Sequence, residues 1–82
     1  MAEKLIGEVT NFFKNVGAAA IMLSAPLKIG DKIKIKGGEK EIEITVESMQ
    51  INRKEIKEAK KGDEIGLLVP ESVHKGYKVF KV

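Results

Sequence analysis

The stretch "DKIKIKGGEKEIEITVE", Asp31 to Glu47, decides the fold class. Two runs alternate apolar and charged residues on either side of a glycine pair, the pattern of an antiparallel hairpin whose side chains point to opposite faces in turn. The register follows from the side chains. With Gly37 to Lys40 as a four-residue loop, Ile35 faces Ile42 and Ile33 faces Ile44, while on the other face Lys36 meets Glu41 and Lys34 meets Glu43. A tighter loop sets Ile35 against Lys40. Each charged pair adds only about 0.2–1 kcal/mol, but side-chain pairing favours the longer loop. The stripe Lys32, Lys34, Lys36 is then largely neutralised and reads as a solvated face.

Downstream, the alternation Ile42, Ile44, Val46 fails, because Met49 and Ile51 fall on the opposite parity. A bulge near Glu47 and Ser48 would restore an inward face, and bulges bend strands around the corners of curled sheets. Upstream, "KLIGEVTNFF" reads as a strand with Val9 and Phe13 on one face and Ile6, Glu8, Thr10 and Phe12 on the other. "KNVG" is a turn and "GAAAIMLSA" a buried strand whose small residues permit close backbone approach, ended by Pro26. Gly30–Asp31 and Gly62–Asp63 stand at matching strand entrances, and "HKGYKVFKV" gives a turn at Gly76 and a closing strand. Short strands punctuated by glycine turns predict an all-β single domain over residues 1–82, a small closed antiparallel β-barrel of six or seven strands.

"NRKEIKEAKKGDEIGLLV", Asn52 to Val69, carries a competing signal. Asn52, Glu55 and Gly62 sit where a helix would want its cap, capping-box acceptor and stop. A helix of about nine residues is marginal without packing, however, and only Ile56 and Ala59 could anchor it. The expectation is a short extended or single-turn crossover with Ile56 and Ala59 turned inward.

The totals exclude several classes. The chain has 82 residues, room for one modest core and no separate recognition domain. It is 43% hydrophobic and 33% charged, and its longest apolar run falls short of the ~20 residues of a membrane helix. "MAEKLIGEV" lacks the pattern of a secretory leader, so a cytoplasmic location is expected. There is no cysteine, and lysine supplies all but one of the basic residues, a bias seen in heat-adapted proteins. The net charge of +3 arises after Ile51, where Lys and Arg number 8 against 5 acids, compared with 7 against 7 before it.

The motifs "IGEV" (Ile6 to Val9), "PLKIGDKIKIKG" (Pro26 to Gly37), "VESMQINRKEIKEAKKGDEIGLLV" (Val46 to Val69) and "HKGYKVFKV" occur in an order that resembles domain 2 of translation elongation factors, the β-barrel that follows the GTPase domain in elongation factor Tu. The chain is also similar to the C-terminal barrel of collagenase-like peptidase family proteins, some of which act in RNA modification, and to small standalone archaeal elongation-factor-like proteins. "KGYKVFKV" suits these last two groups slightly better. The first resemblance implies a translation-related role in contact with tRNA or the ribosome. It does not carry nucleotide chemistry over, because no G-x-x-x-x-G-K-[ST] or NKxD motif is present. The segment Thr10 to Ala25 also lengthens the first hairpin beyond the elongation factor Tu form, so no tRNA-contact residue is transferred.

On this reading Arg53, Lys54, Lys57, Lys60, Lys61, Lys75 and Lys78 are the candidate RNA-binding residues, cations that can each release counterions. Phe12, opposite in parity to Phe13, is a candidate for stacking on a base. The sole histidine, His74, has no second histidine or cysteine for a metal and reads as a turn residue; no catalytic, metal or cofactor residue is assigned. The expectation is a non-catalytic module contacting RNA through its Ile51 to Val82 side. The alternative is a protein-interaction module docking on a separately encoded enzyme or GTPase through apolar rim residues.

Overall fold

The computed structural model describes residues 3–82; Met1 and Ala2, which open the stretch read for a leader, lie outside the described residues. The Asp31 to Glu47 hairpin has the expected register. β4 (Lys32–Gly37) and β5 (Lys40–Thr45) pair Ile33 with Ile44, Lys34 with Glu43, Ile35 with Ile42 and Lys36 with Glu41, and the ladder continues to Gly37 and Lys40. Only Gly38 and Glu39 therefore remain in the turn. The ion pairs run diagonally: Lys34 Nζ lies 2.8 Å from Glu41 and Lys32 Nζ 3.9 Å from Glu43. Glu3 takes up Lys36 and also Lys34, the latter at 2.6 Å. Hydrogen bonds from Lys34 first and Lys36 second hold the Glu3 carboxyl below the usual carboxylate range, while Glu3 and then Glu41 raise the Lys34 ammonium.

All the regular structure is antiparallel β. Besides β4 and β5 the chain forms β1 (Lys4–Phe13), β2 (Ala18–Leu23), β3 (Leu27–Lys28), β6 (Met49–Ile51), β7 (Lys54–Ile56), β8 (Glu58–Ala59), β9 (Glu64–Leu68) and β10 (Lys78–Lys81). Eight strands lie in the order β5-β4-β10-β1-β2-β9-β6-β7, and β3 and β8 make a separate ribbon. Among the described residues the expected six or seven strands are thus ten shorter ones, and no ladder joins β5 to β7. The sheet is nonetheless curled. Ile42 on edge strand β5 and Met49 near the other end of the ladder share one buried cluster with Ile6, Ile21, Ile65 and Val79, which a flat sheet at about 4.8 Å per strand could not arrange.

β1 departs from the alternation expected of it, and two register shifts explain how. Against β10 the register shifts between Leu5 and Gly7; against β2 it shifts between Val9 and Asn11. Each extra residue inverts the parity, so Ile6 and Val9, three apart, are both buried, and Phe12 joins their face. Phe13 is left outside. The bulge expected near Glu47 and Ser48 is instead a strand break, where the chain leaves β4 and crosses to β9 with Val46 and Met49 both buried.

The two Gly-Asp pairs build equivalent turns. Lys28 N donates to Asp31 Oδ2 at 3.0 Å, and Lys60 N to Asp63 Oδ2 at 2.9 Å. Gly30 N donates to Val46 O and Val46 N to Asp31 O, each at 2.8 Å; Gly62 N and Leu23 N repeat this with Leu23 O and Asp63 O at 2.8 and 2.9 Å. Glycine is needed because both positions have a left-handed φ, 95° and 92°. The β3–β8 ribbon, pairing Leu27 with Ala59, connects the two turns.

The crossover after Ile51 is extended, as expected. Asn52 and Arg53, with φ of 52° and 67°, form a two-residue turn between β6 and β7. Ile56 packs partly against the core, and Ala59 is buried.

Candidate docking groove

Residues facing outward from the middle of the sheet are unusually small. On β2, Ala19, Ile21 and Leu23 point into the core, which sends Ala18 and Ala20 to the outer face; on β9, buried Ile65 and Leu67 likewise leave Gly66 outward. Ala20 pairs with Gly66, and Gly66 with Gln50 of β6, so the three strands form a low floor.

Two hairpin tips wall this floor. At the β1–β2 tip, Val16 N and Gly17 N donate to Phe13 O at 3.2 and 2.9 Å, and Val69 N donates to Gly17 O at 2.9 Å, which ties the tip to the end of β9. The other wall is the β6–β7 turn with Asn52 and Arg53. Between them lies an open groove of about 640 Å³, continuous at Val16, Ala18, Gln50 and Gly66 with a second hollow of about 320 Å³ that reaches Leu68. One end is apolar: Phe13, Val16 and Leu68 are 49%, 65% and 62% exposed. The other end carries Gln50, Asn52, Arg53 and Glu64. The Thr10 hydroxyl lies 2.7 Å from Glu64 Oε2 and 3.2 Å from Ala20 O, holding the Glu64 carboxylate beside the floor.

The candidate cations come from several separate elements. Arg53 and Lys54 sit at the β6–β7 turn, Lys57 between β7 and β8, and Lys60 and Lys61 in the turn before β9, all exposed and interleaved with Glu55 and Glu58. Lys75 lies in the turn before β10. Lys78 is on β10, where it pairs with Glu8. Of the set, only Arg53 lines the groove. Phe12 is packed partly against the core, so Phe13 is the exposed aromatic, contrary to the expectation that Phe12 stacks on a base. His74 lies edge-on to Tyr77 with ring centroids 5.5 Å apart.

The groove escaped the sequence reading because its key residue, Phe13, turns outward only through the second β1 shift. The signal that was present is the run of small residues in "GAAAIM", whose outward members Ala18 and Ala20 form the floor.

No family model matches the chain. It is 45% identical over 76 residues to the uncharacterized protease MJ0090 of Methanocaldococcus jannaschii, an alignment covering 92% of this chain and 19% of that protein. The chain thus spans about a fifth of the curated relative it matches. In structure it is similar to the C-terminal domain of a Geobacillus thermoleovorans protein named as a U32 peptidase, with a TM-score of 0.89 at 16% identity over 96% of this chain and 92% of that one. A selenomethionine variant of that domain gives 0.87 at 15%, over 93% and 96%. These findings match the collagenase-like peptidase resemblance. They overturn the translation-factor reading, and with it the RNA-binding module on the lysine-rich C-terminal third, because the relatives point to a peptidase-family domain.

Proposed function

We propose that this chain is a non-catalytic docking domain of the U32 peptidase type, acting in the cytoplasm, and that its groove face packs against the larger remainder of such a protein. The observation that carries this reading is the grouping of Phe13, Val16 and Leu68 on one outer face beside a floor of Ala18, Ala20 and Gly66. Apolar side chains grouped around a concave floor mark surfaces that meet a partner. The archaeal relative supplies the context, since four-fifths of its length lies outside the matching segment.

The domain is, on the same reading, a barrel whose seam is completed by the β3–β8 ribbon. Leu27 and Ala59 are buried there, and Ile29 N donates to Lys57 O at 2.9 Å. A sealed barrel leaves outer faces, not the interior, for binding.

The test is a chimera in which this chain replaces the matching 76 residues of the archaeal relative, compared with the isolated chain by hydroxyl-radical footprinting. Phe13, Val16 and Leu68 should become protected, while Leu5 and Met22, exposed around a different hollow, should stay reactive. Equal reactivity of the three groove residues in both proteins would overturn the reading.

A further inference from the structure

We infer that the element received by this groove is an extended, predominantly apolar segment of the peptidase-type remainder that carries an Asp or Glu carboxylate, and that Arg53 binds that carboxylate at the polar end of the groove. The inference rests on the docking reading and adds the chemistry of the partner.

Three observations carry it. Arg53 occupies the second position of a two-residue turn with a φ of 67°, where the left-handed conformation normally selects glycine. Residues held in this region cluster at functional sites, and this side chain lines the groove. Second, Arg53 has no direct ion pair: among the described residues no carboxylate oxygen lies within 4.0 Å of it, and Glu64, the groove's own acid, accepts from the Thr10 hydroxyl. Third, the remaining lining is apolar or neutral, so the groove offers one guanidinium and one apolar end. A guanidinium takes a carboxylate through two parallel N–H donors, the geometry that suits a site with a single planar anion.

The floor sets the form of the ligand. With only Ala18, Ala20 and Gly66 beneath it, a polypeptide backbone can lie close to the sheet, and the groove's volume of about 640 Å³ holds a short extended segment rather than a folded element. A nucleic-acid strand fits poorly. It would bring a run of phosphates through a groove that offers one lining cation, whereas a segment with a single carboxylate matches that one guanidinium.

The test uses the chimera of this chain with the archaeal relative, with footprinting at Phe13 and Leu68 as the readout. Arg53→Glu should return both residues to the reactivity of the isolated chain. Arg53→Lys, which keeps the charge but loses the planar fork, should restore protection in part, and raised salt should weaken it. Arg53→Gly separates binding from folding: it should raise the thermal midpoint of the isolated chain while lowering groove protection in the chimera, whereas a merely structural arginine would lower both. Protection that is present in the parent chimera and unchanged by Arg53→Glu overturns the carboxylate inference and leaves docking intact. Protection absent from the parent chimera overturns docking, and the inference with it.

Discussion

Gly37→Ala should destabilise the domain, although glycine in a strand is ordinarily the weaker choice. At most strand positions alanine would gain roughly 0.5–1 kcal/mol by reducing the freedom of the unfolded chain. Gly37 is an exception because the ring of Tyr77 rests directly on it. A Cβ built there would lie 2.0 Å from Tyr77 Cδ1 and 2.2 Å from both Cε1 and Cγ. Carbon atoms in contact sit about 3.5–4.0 Å apart, so the ring has to retreat by about 1.5 Å. It is held in place by the core cluster beneath it and by His74 at its edge. Overpacking of this kind costs about 1–3 kcal/mol, and about 2 kcal/mol in a domain of this size lowers the thermal midpoint by roughly 8–16 °C. Tyr77 is the only tyrosine and there is no tryptophan, so unfolding is followed by far-ultraviolet circular dichroism, which reads both this background and one without Tyr77. In a Tyr77→Ala background the clash is gone, and Gly37→Ala should then cost less than about 0.5 kcal/mol or be favourable. An equal cost in both backgrounds would refute the reasoning.

Other perturbations have equally definite signs. Arg53→Gly should stabilise the isolated chain by about 1 kcal/mol, seen as a higher urea midpoint at unchanged slope, because it releases a left-handed non-glycine residue. Asp63→Ala should cost about 1 kcal/mol by removing one side-chain acceptor from its turn, and Asp31→Ala somewhat more, since Asp31 also pairs with Lys81 at 3.5 Å; a smaller cost for Asp31→Ala in urea melts would contradict this. The lowered Glu3 carboxyl contributes stability above its unfolded value of about 4.3 and loses it as pH falls through the lower folded value. Thermal melts should therefore show a midpoint that drops on acidification below about pH 4, and Glu3→Gln should flatten part of that drop.

The β4–β5 register was legible because the apolar and charged alternations agree, and a slip of one residue would have set Ile35 against Glu41 or Glu43. The Gly-Asp turns were legible for a similar reason, since a left-handed φ selects glycine and the following aspartate bonds locally. β1 was legible as a strand but not in its facing. Nothing in "KLIGEVTNFF" marks residues 6 and 10 as the extra ones; the partners β10 and β2 impose the two shifts, and pairing between distant segments is not written in local alternation. That is why Phe12 and Phe13 exchanged roles. The lysines were countable, but which of them line one site depends on tertiary placement: only Arg53 reaches the groove, and Lys78 is already paired with Glu8. The small outward residues were visible as a composition, whereas the groove they floor required the neighbours β9 and β6.

The central claim, that the Phe13–Leu68 face is covered by the remainder of a peptidase-type protein, is tested most directly by the radical reactivity of Phe13. In the isolated chain this side chain is 49% exposed. At the centre of an interface that excludes water it should fall to about a tenth exposed, a loss of reactivity of about fivefold in the chimera, with Leu5 unchanged as the internal reference. A Phe13 that reacts as fast in the chimera as in the isolated chain would contradict the account.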